Sequence, residues 1–308
     1  MNKHLLNRRQ VGARCAALGL SLPAASAMLA GQANAQVPGT GAASQPAGRT
    51  VKFPDGRIVT ALGQGSWHLG QSRHPAAEEE EALRTGISLG MTLIDTAGDY
   101  GNGRSEELIG RAIAGQRDHV FLVSKVGIND VYGDGIARIC EASLARLGTD
   151  HLDLFLLWEP VRSNILPGVV ANFEKLRTAG KIRAWGVSNF NVDQMEALFL
   201  VPDGNRCATN QIAYSLNNQR LARDVLPWCA KHNMPMMAYS PLGGDDNLLV
   251  NDPRLTKIAS EHGCTAAAVA LGWAIRSGNV IAIPESGSPA HVKDNAVALS
   301  IDWIPASP

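Results

Sequence analysis

From residue 61 to residue 283 the chain repeats one pattern, a short apolar run followed by a stretch of helical periodicity. The runs lie at 61–67, 91–96, 120–126, 152–157, 182–187, 208–212, 234–239 and 280–283. Helical patterns follow from about 75, then at 105–114, 136–147, 169–179, 192–200 and 221–232, and a helix pair ends near Arg276. A run that is apolar throughout, rather than alternating, suits a parallel strand covered on both faces. Eight such runs, mostly about thirty residues apart and interleaved with helices, predict an α/β fold: a single-domain (β/α)₈ TIM barrel. A doubly wound sheet is the rival, but it calls for a glycine-rich phosphate turn after the first strand. Gly63-x-Gly65 is only a fragment of that turn, and Trp67-His68 stands where it would continue. Residues 51–59 read as a hairpin around Pro54-Asp55-Gly56-Arg57, placed to cap the bottom of the barrel.

Polar side chains gather where each run ends. They are Trp67 and His68, Asp95 and Tyr100, Lys125, Trp158 and Glu159, Ser188 and Asn189, Asn210 and Gln211, Tyr239 and Ser240, and Glu285 and Ser286. In this fold the carboxyl ends of the strands carry the active site. If the second and third runs are neighbours, the carboxylate of Asp95, the phenol of Tyr100 and the amine of Lys125 meet in one place. A buried lysine beside a tyrosine lowers the phenol's pKa, and the aspartate holds the lysine charged. Such a tyrosine is expected to give up a proton near neutral pH. A ring of amides and hydroxyls with one aromatic suits a flat polar heterocycle.

The formal net charge is zero, which argues against a nucleic-acid or membrane-surface partner. Cys140, Cys207, Cys229 and Cys264 show no metal or redox spacing, and the histidines do not cluster. We expect buried thiols and no metal. Lys3, Arg8 and Arg9 precede an apolar small-residue stretch at 16–30 and the small-x-small site Ala33-Asn34-Ala35. Residues 1–35 therefore read as a cleaved signal peptide. Arg8-Arg9 resembles a twin-arginine signal, which exports folded proteins. Residues 36–50 read as a flexible linker and residues 51–308 as the barrel. The expected product is a periplasmic monomer with no stable membrane insertion after cleavage.

Several blocks resemble the aldo-keto reductases, in the family's order, over about residues 51–298. They are Asp95-Thr96-Ala97 with Tyr100-Gly101, Ser124-Lys125-Val126, Gly186-Val187-Ser188-Asn189-Phe190, Asn210-Gln211, and Ala238-Tyr239-Ser240-Pro241-Leu242. Within the family the likeness is to bacterial reductases of methylglyoxal and related small aldehydes. The resemblance implies NADPH or NADH, bound without a doubly wound domain, and a small carbonyl substrate. It implies that Tyr100 protonates the carbonyl oxygen while Lys125 and Asp95 tune it. Ser188, Asn189 and Gln211 would hold the carboxamide, Tyr239 would stack on the ring, and Ser240 and Leu242 would lie along the pyrophosphate. Ser286 and Asn295 belong to the adenosine phosphate block. Trp67 and Trp158 would wall the substrate pocket.

The chain departs from that pattern in three places. Trp158 stands where the family has a histidine, and indole donates but does not titrate. Glu159 and His68 are the alternative acids. In the adenosine phosphate block Glu285 stands for a lysine and His291 for an arginine, and a carboxylate there is expected to oppose a 2′-phosphate. The sequence also ends at Pro308, where relatives continue into a helix and loop bordering the pocket. The alternative function is a nucleotide-binding barrel with weakened catalysis, acting as a sensor or partner subunit. A barrel isomerase or lyase lacks the metal or phosphate signals it would need.

Overall fold

The structure, a computed structural model, describes residues 48–302 apart from residue 245. The expected signal peptide and residues 36–47 of the expected linker lie outside the described residues, as do residues 303–308. A hairpin comes first: β1 (Thr50–Lys52) and β2 (Ile58–Thr60) pair antiparallel, with Val51 opposite Val59. Gly56 takes the left-handed conformation of the turn, at φ 91°. Phe53 stacks on Phe121 with ring centroids 4.8 Å apart, which seals the amino-terminal end of the barrel.

Seven strands follow in one curled parallel sheet, ordered as in the sequence. They are β3 (Leu93–Asp95), β4 (Phe121–Val126), β5 (Leu152–Leu157), β6 (Ile182–Ser188), β7 (Asn210–Ala213), β8 (Met236–Tyr239) and β9 (Val280–Ala282). Every residue of β4 and β5 is buried, as expected of strands packed on both faces. The first of the eight runs differs from expectation, because it is not a regular strand. It joins β9 and β3 through single bridges, Leu62 to Ala282 and Gln64 to Ile94, with Gly65 to Glu285 beyond. Its backbone bonds alternate between the two neighbours: Gly63 N–H to Ala282 O and Gln64 N–H to Leu93 O, both 2.8 Å. That threading needs the two glycines. A Cβ on Gly63 would stand 2.9 Å from the Leu93 carbonyl oxygen, and one on Gly65 2.8 Å from that of Ile283. So the fragment Gly63-x-Gly65 serves closure of the barrel and not a phosphate turn.

Around the sheet lie α1 (Ala76–Ser88), α2 (Arg104–Ala112), α3 (Gly135–Leu147), α4 (Leu166–Thr178), α5 (Val192–Phe199), α6 (Ala222–Lys231), α7 (Pro253–Glu261), α8 (Ala266–Ala274) and α9 (Pro289–Ala296). Local chemistry sets their ends. Glu78 and Glu79 occupy the first turn of α1, where the helix dipole favours carboxylates. Gly148 ends α3 in a left-handed cap, and Asn191 with Gln194 forms a capping box on α5. The alternation of runs gave no sign of α9, a short helix that packs on α1.

Cys140, Cys207 and Cys229 are buried, Cys264 is half-buried, and none is in a disulfide. Burial pushes the thiols of Cys140, Cys207 and Cys229 up to about 12. Among the described residues no group of histidines, cysteines and carboxylates is placed to hold a metal ion. No helix among them is long and apolar enough to cross a membrane.

Candidate active site

β3 and β4 are neighbours with Asp95 opposite Val123, so Asp95 and Lys125 reach the same end of the barrel. The loop leaving β3 then turns through Tyr100–Gly103, where Gly101, Asn102 and Gly103 all have positive φ. That tight coil brings the Tyr100 ring back over the strand ends. The Lys125 ammonium donates to Asp95 Oδ2 at 2.6 Å, to Thr96 O at 2.9 Å and to Tyr100 Oη at 3.1 Å. All three of its N–H groups are thereby used. Tyr100 accepts the lysine's hydrogen bond, so its own hydroxyl proton remains free to be donated. The lysine and aspartate side chains are 1% and 3% exposed, so water screens the pair little.

The electrostatics differ from the expectation in one respect. Burial pushes the Tyr100 phenol up, and the nearby Lys125 charge pulls it down; the net direction is upward. A lowered phenol was expected, but desolvation outweighs the lysine, and the charge of Asp95 adds to the upward push. Burial would push the Lys125 ammonium down, yet Asp95 and Tyr100 together hold it above the ordinary lysine value. At neutral pH the site therefore presents a protonated phenol against a charged amine.

Tyr100 lies in the wall of a cavity of about 430 Å³ at the carboxyl ends of the strands. The other expected residues that line it are Trp67, Asp95, Trp158, Ser188, Asn189, Gln211, Tyr239, Ser240 and Leu242. Lys125 sits just behind, bonded to Tyr100. Trp67, Tyr100 and Trp158 form an aromatic corner, with Trp67 5.4 Å and Trp158 5.5 Å from the Tyr100 ring centroid. Ser286 and Asn295 do not reach this cavity. The Ser286 hydroxyl is engaged with Ser288 in the loop after β9, and Asn295 is buried on α9.

Several polar groups are already partnered. The Gln211 amide donates to Asp95 Oδ1 at 2.7 Å, and the Ser188 hydroxyl donates to the Gln211 carbonyl at 2.8 Å. Asn189, at φ 65°, accepts from the Tyr239 hydroxyl at 3.0 Å and donates to the Trp158 carbonyl at 3.2 Å. Burial, and then the charge of Glu159, push the Tyr239 phenol up. Glu285 also lines this cavity and is held by His68. Its carboxylate accepts from the His68 backbone N–H at 2.8 Å and lies 2.9 Å from His68 Nδ1.

A model of the Aldo/keto reductase family matches residues 61–306. The chain belongs to the aldo/keto reductase family. This aldo/keto reductase is thus an oxidoreductase built on a (β/α)₈ barrel. It is 44% identical over 258 residues to the methylglyoxal reductase YeaE of Escherichia coli K12, covering 82% of this chain and 90% of that protein. Among solved structures it is similar to an aldo/keto reductase from Klebsiella pneumoniae in complex with NADP and acetate. That likeness has a TM-score of 0.78 and 43% identity, over 82% of this chain and 90% of that one. A second structure from the same organism, in complex with NADPH, matches with the same figures.

The site of this aldo/keto reductase also contains residues that the sequence did not single out. Ser66 donates to the Asp95 carbonyl at 2.8 Å, and Ser105 donates to the Ser66 hydroxyl at 2.9 Å. Ser105 Oγ also lies 3.2 Å from the Thr96 hydroxyl. These buried hydroxyls brace the backbone under Tyr100. Nothing in a lone serine at a strand end distinguishes it from a solvated one, so no local signal marks them. Arg73 and Asn247 line the cavity from loops, again without a pattern to flag them.

Proposed function

We propose that this chain is an NADPH-dependent reductase of small aldehydes and ketones, α-oxoaldehydes such as methylglyoxal included. The observation that carries the proposal is a buried phenol receiving a lysine hydrogen bond at 3.1 Å, in the wall of a cavity sized for a small ligand. The residues present fit a nicotinamide nucleotide. Amides and hydroxyls from Ser188, Asn189 and Gln211 stand on one side, the Tyr239 ring on another, and Ser240 and Leu242 beyond it. These would hold the carboxamide, the ring and the pyrophosphate; Ser286 and Asn295 are proposed for the adenosine end. When bound, the reduced nucleotide supplies the hydride.

The protein's own part is positioning and proton transfer. Tyr100 gives its hydroxyl proton to the carbonyl oxygen, and the Lys125 ammonium stabilises the phenolate left behind. Asp95 keeps the lysine charged and fixed. Trp67 and Trp158 shut water from the apolar side of the substrate. The choice of NADPH rests on the relatives bound to NADP and NADPH.

The test is a steady-state panel of methylglyoxal and other small carbonyls with each cofactor, on wild type and Tyr100→Phe. Turnover is expected with NADPH, falling roughly 10²–10⁴-fold in Tyr100→Phe while nucleotide binding persists. No turnover and no nucleotide binding would end the proposal. One observation favours a second reading, a barrel with weakened catalysis serving as a sensor: Trp158, which cannot titrate, stands where a histidine was expected. Tight NADPH binding without turnover of any carbonyl would select it. We further propose export as a folded monomer, from the signal-peptide pattern expected at residues 1–35. A periplasmic fraction beginning after Ala35 and sedimenting as one chain supports this; a cytoplasmic chain retaining Met1 opposes it.

A further inference from the structure

Glu106, in the first turn of α2, has a fully buried side chain and holds two partners. Its Oε1 accepts from the Ser124 hydroxyl at 2.7 Å, and its Oε2 accepts from Arg146 Nε at 2.7 Å. Ser124 directly precedes Lys125 on β4, so one end of this chain of contacts is the strand that carries the amine. Arg146 lies near the end of α3, and its side chain fills the inside of the loop that carries Tyr100. A Cβ on Gly98 would stand 2.9 Å from Arg146 Nη2, and one on Gly103 would stand 2.6 Å from its Cδ and 2.8 Å from its Nε. The loop is therefore moulded on the guanidinium, with glycine where the two would collide.

We propose that Glu106 and Arg146 are positioning residues that clamp the Tyr100 loop to the Lys125 strand and so set the phenol–ammonium distance. The inference rests on the proposed reductase activity of Tyr100. Beside the ammonium's own bonds to Tyr100, Asp95 and Thr96, a separate path joins the pair, the route Ser124–Glu106–Arg146–loop. The direct bond fixes one point of the loop, and the turn's internal bonds, Asn102 N–H to Asp99 O at 3.2 Å and Arg104 Nε to Gly101 O at 2.9 Å, hold its shape; the clamp adds a seat against β4. With the clamp in place the loop has one position. A carboxylate sunk at a helix N-terminus and bonded to a guanidinium on one side and a hydroxyl on the other is a rigid junction.

The experiment compares Arg146→Ala, Arg146→Lys and Glu106→Gln with wild type. Arg111→Ala, on the same helix as Glu106, is the control; it breaks the surface pair of Arg111 with Glu80 of α1. We expect Arg146→Ala to lower kcat roughly tenfold to a hundredfold, the loss typical of a misplacement near 1 Å. The KM for NADPH should stay within about twofold, since the clamp touches no residue proposed to hold nucleotide. Moving Tyr100 away from Lys125 also raises the phenol further, so the fall in rate at high pH should shift to higher pH. Arg146→Lys, which keeps the cation, should recover part of kcat, and Arg111→Ala should change nothing. A kcat within threefold of wild type in Arg146→Ala, or an unshifted pH profile, overturns the clamp. Should Arg146→Ala fail to fold, Glu106→Gln, which keeps the side-chain shape, is judged by the same two criteria. If wild type reduces no carbonyl, the reductase reading fails separately. The clamp is then decided by absorbance titration of Tyr100, with Tyr100→Phe as blank: an unshifted titration in Arg146→Ala overturns it.

Discussion

Replacing Lys125 by methionine isolates the energy stored under the phenol. At 2.6 Å and an effective dielectric constant near 20, the attraction between the ammonium and Asp95 is about 6 kcal/mol. Part of that repays the cost of taking both charges out of water, so the gross figure is not the net worth of the pair. Removing one partner is different, since it strands the other. Breaking a buried pair costs about 3–5 kcal/mol. Asp95 would keep the hydrogen bond from Gln211 at 2.7 Å, which places the expected loss at the lower end, about 3 kcal/mol. For a barrel of this size that lowers the thermal midpoint by roughly 6–12 °C. The double variant Lys125→Met/Asp95→Asn removes both charges of the pair, and its asparagine oxygen still accepts from Gln211. It should regain about 2 kcal/mol while remaining inactive, because the phenol has lost its partner in both variants. Urea unfolding of wild type and the two variants, with equal slopes, gives the comparison. The reasoning fails if Lys125→Met costs less than about 1 kcal/mol, or if the double variant is no more stable than the single one.

Other consequences are open to simpler checks. Trp158→His introduces a titrating donor beside Tyr100, so its pH–rate profile should gain a limb in the histidine range, about pH 6–7; no change in profile or rate would show that Trp158 does not limit turnover. Gly103→Ala places a methyl against Arg146 at φ 88°, and should lower stability by about 1–3 kcal/mol in thermal or urea unfolding. The buried thiols raised to about 12 predict alkaline sensitivity. Their contribution is full below the ordinary thiol pKa and is lost as pH rises toward the folded value, at about 1.4 kcal/mol per pH unit for each thiol. Unfolding free energy followed from pH 8 to 11 should fall less steeply in Cys207→Ala than in wild type.

The barrel was legible because its strands are buried on both faces and are mostly apolar, with polar residues such as Asp153 and Lys125 only where a partner meets them. Leu152–Leu157 appears in the sequence as the same six residues that form β5. The first run was legible as a stave but not as an irregular one, since its form depends on how closely Leu93 and Ile283 approach Gly63 and Gly65. The acid, phenol and amine were legible from strand ends alone. The direction in which the phenol titrates was not, because it turns on the balance between burial and a lysine charge that Asp95 offsets. The anchoring of Glu285 to His68 was not legible, for a related reason. Its partner His68 lies 217 positions away, and no local pattern announces a contact of that range.

Gln211 faces two ways. Its amide nitrogen is bonded to Asp95, and its side chain also borders the berth proposed for the nucleotide. No replacement at this position could adjust affinity for the coenzyme and leave the acidity of the proton donor alone. Selection acting on the one property would drag the other with it, so divergence in coenzyme usage is better sought at residues such as Ser286 and Asn295, which do not reach the Tyr100 cavity.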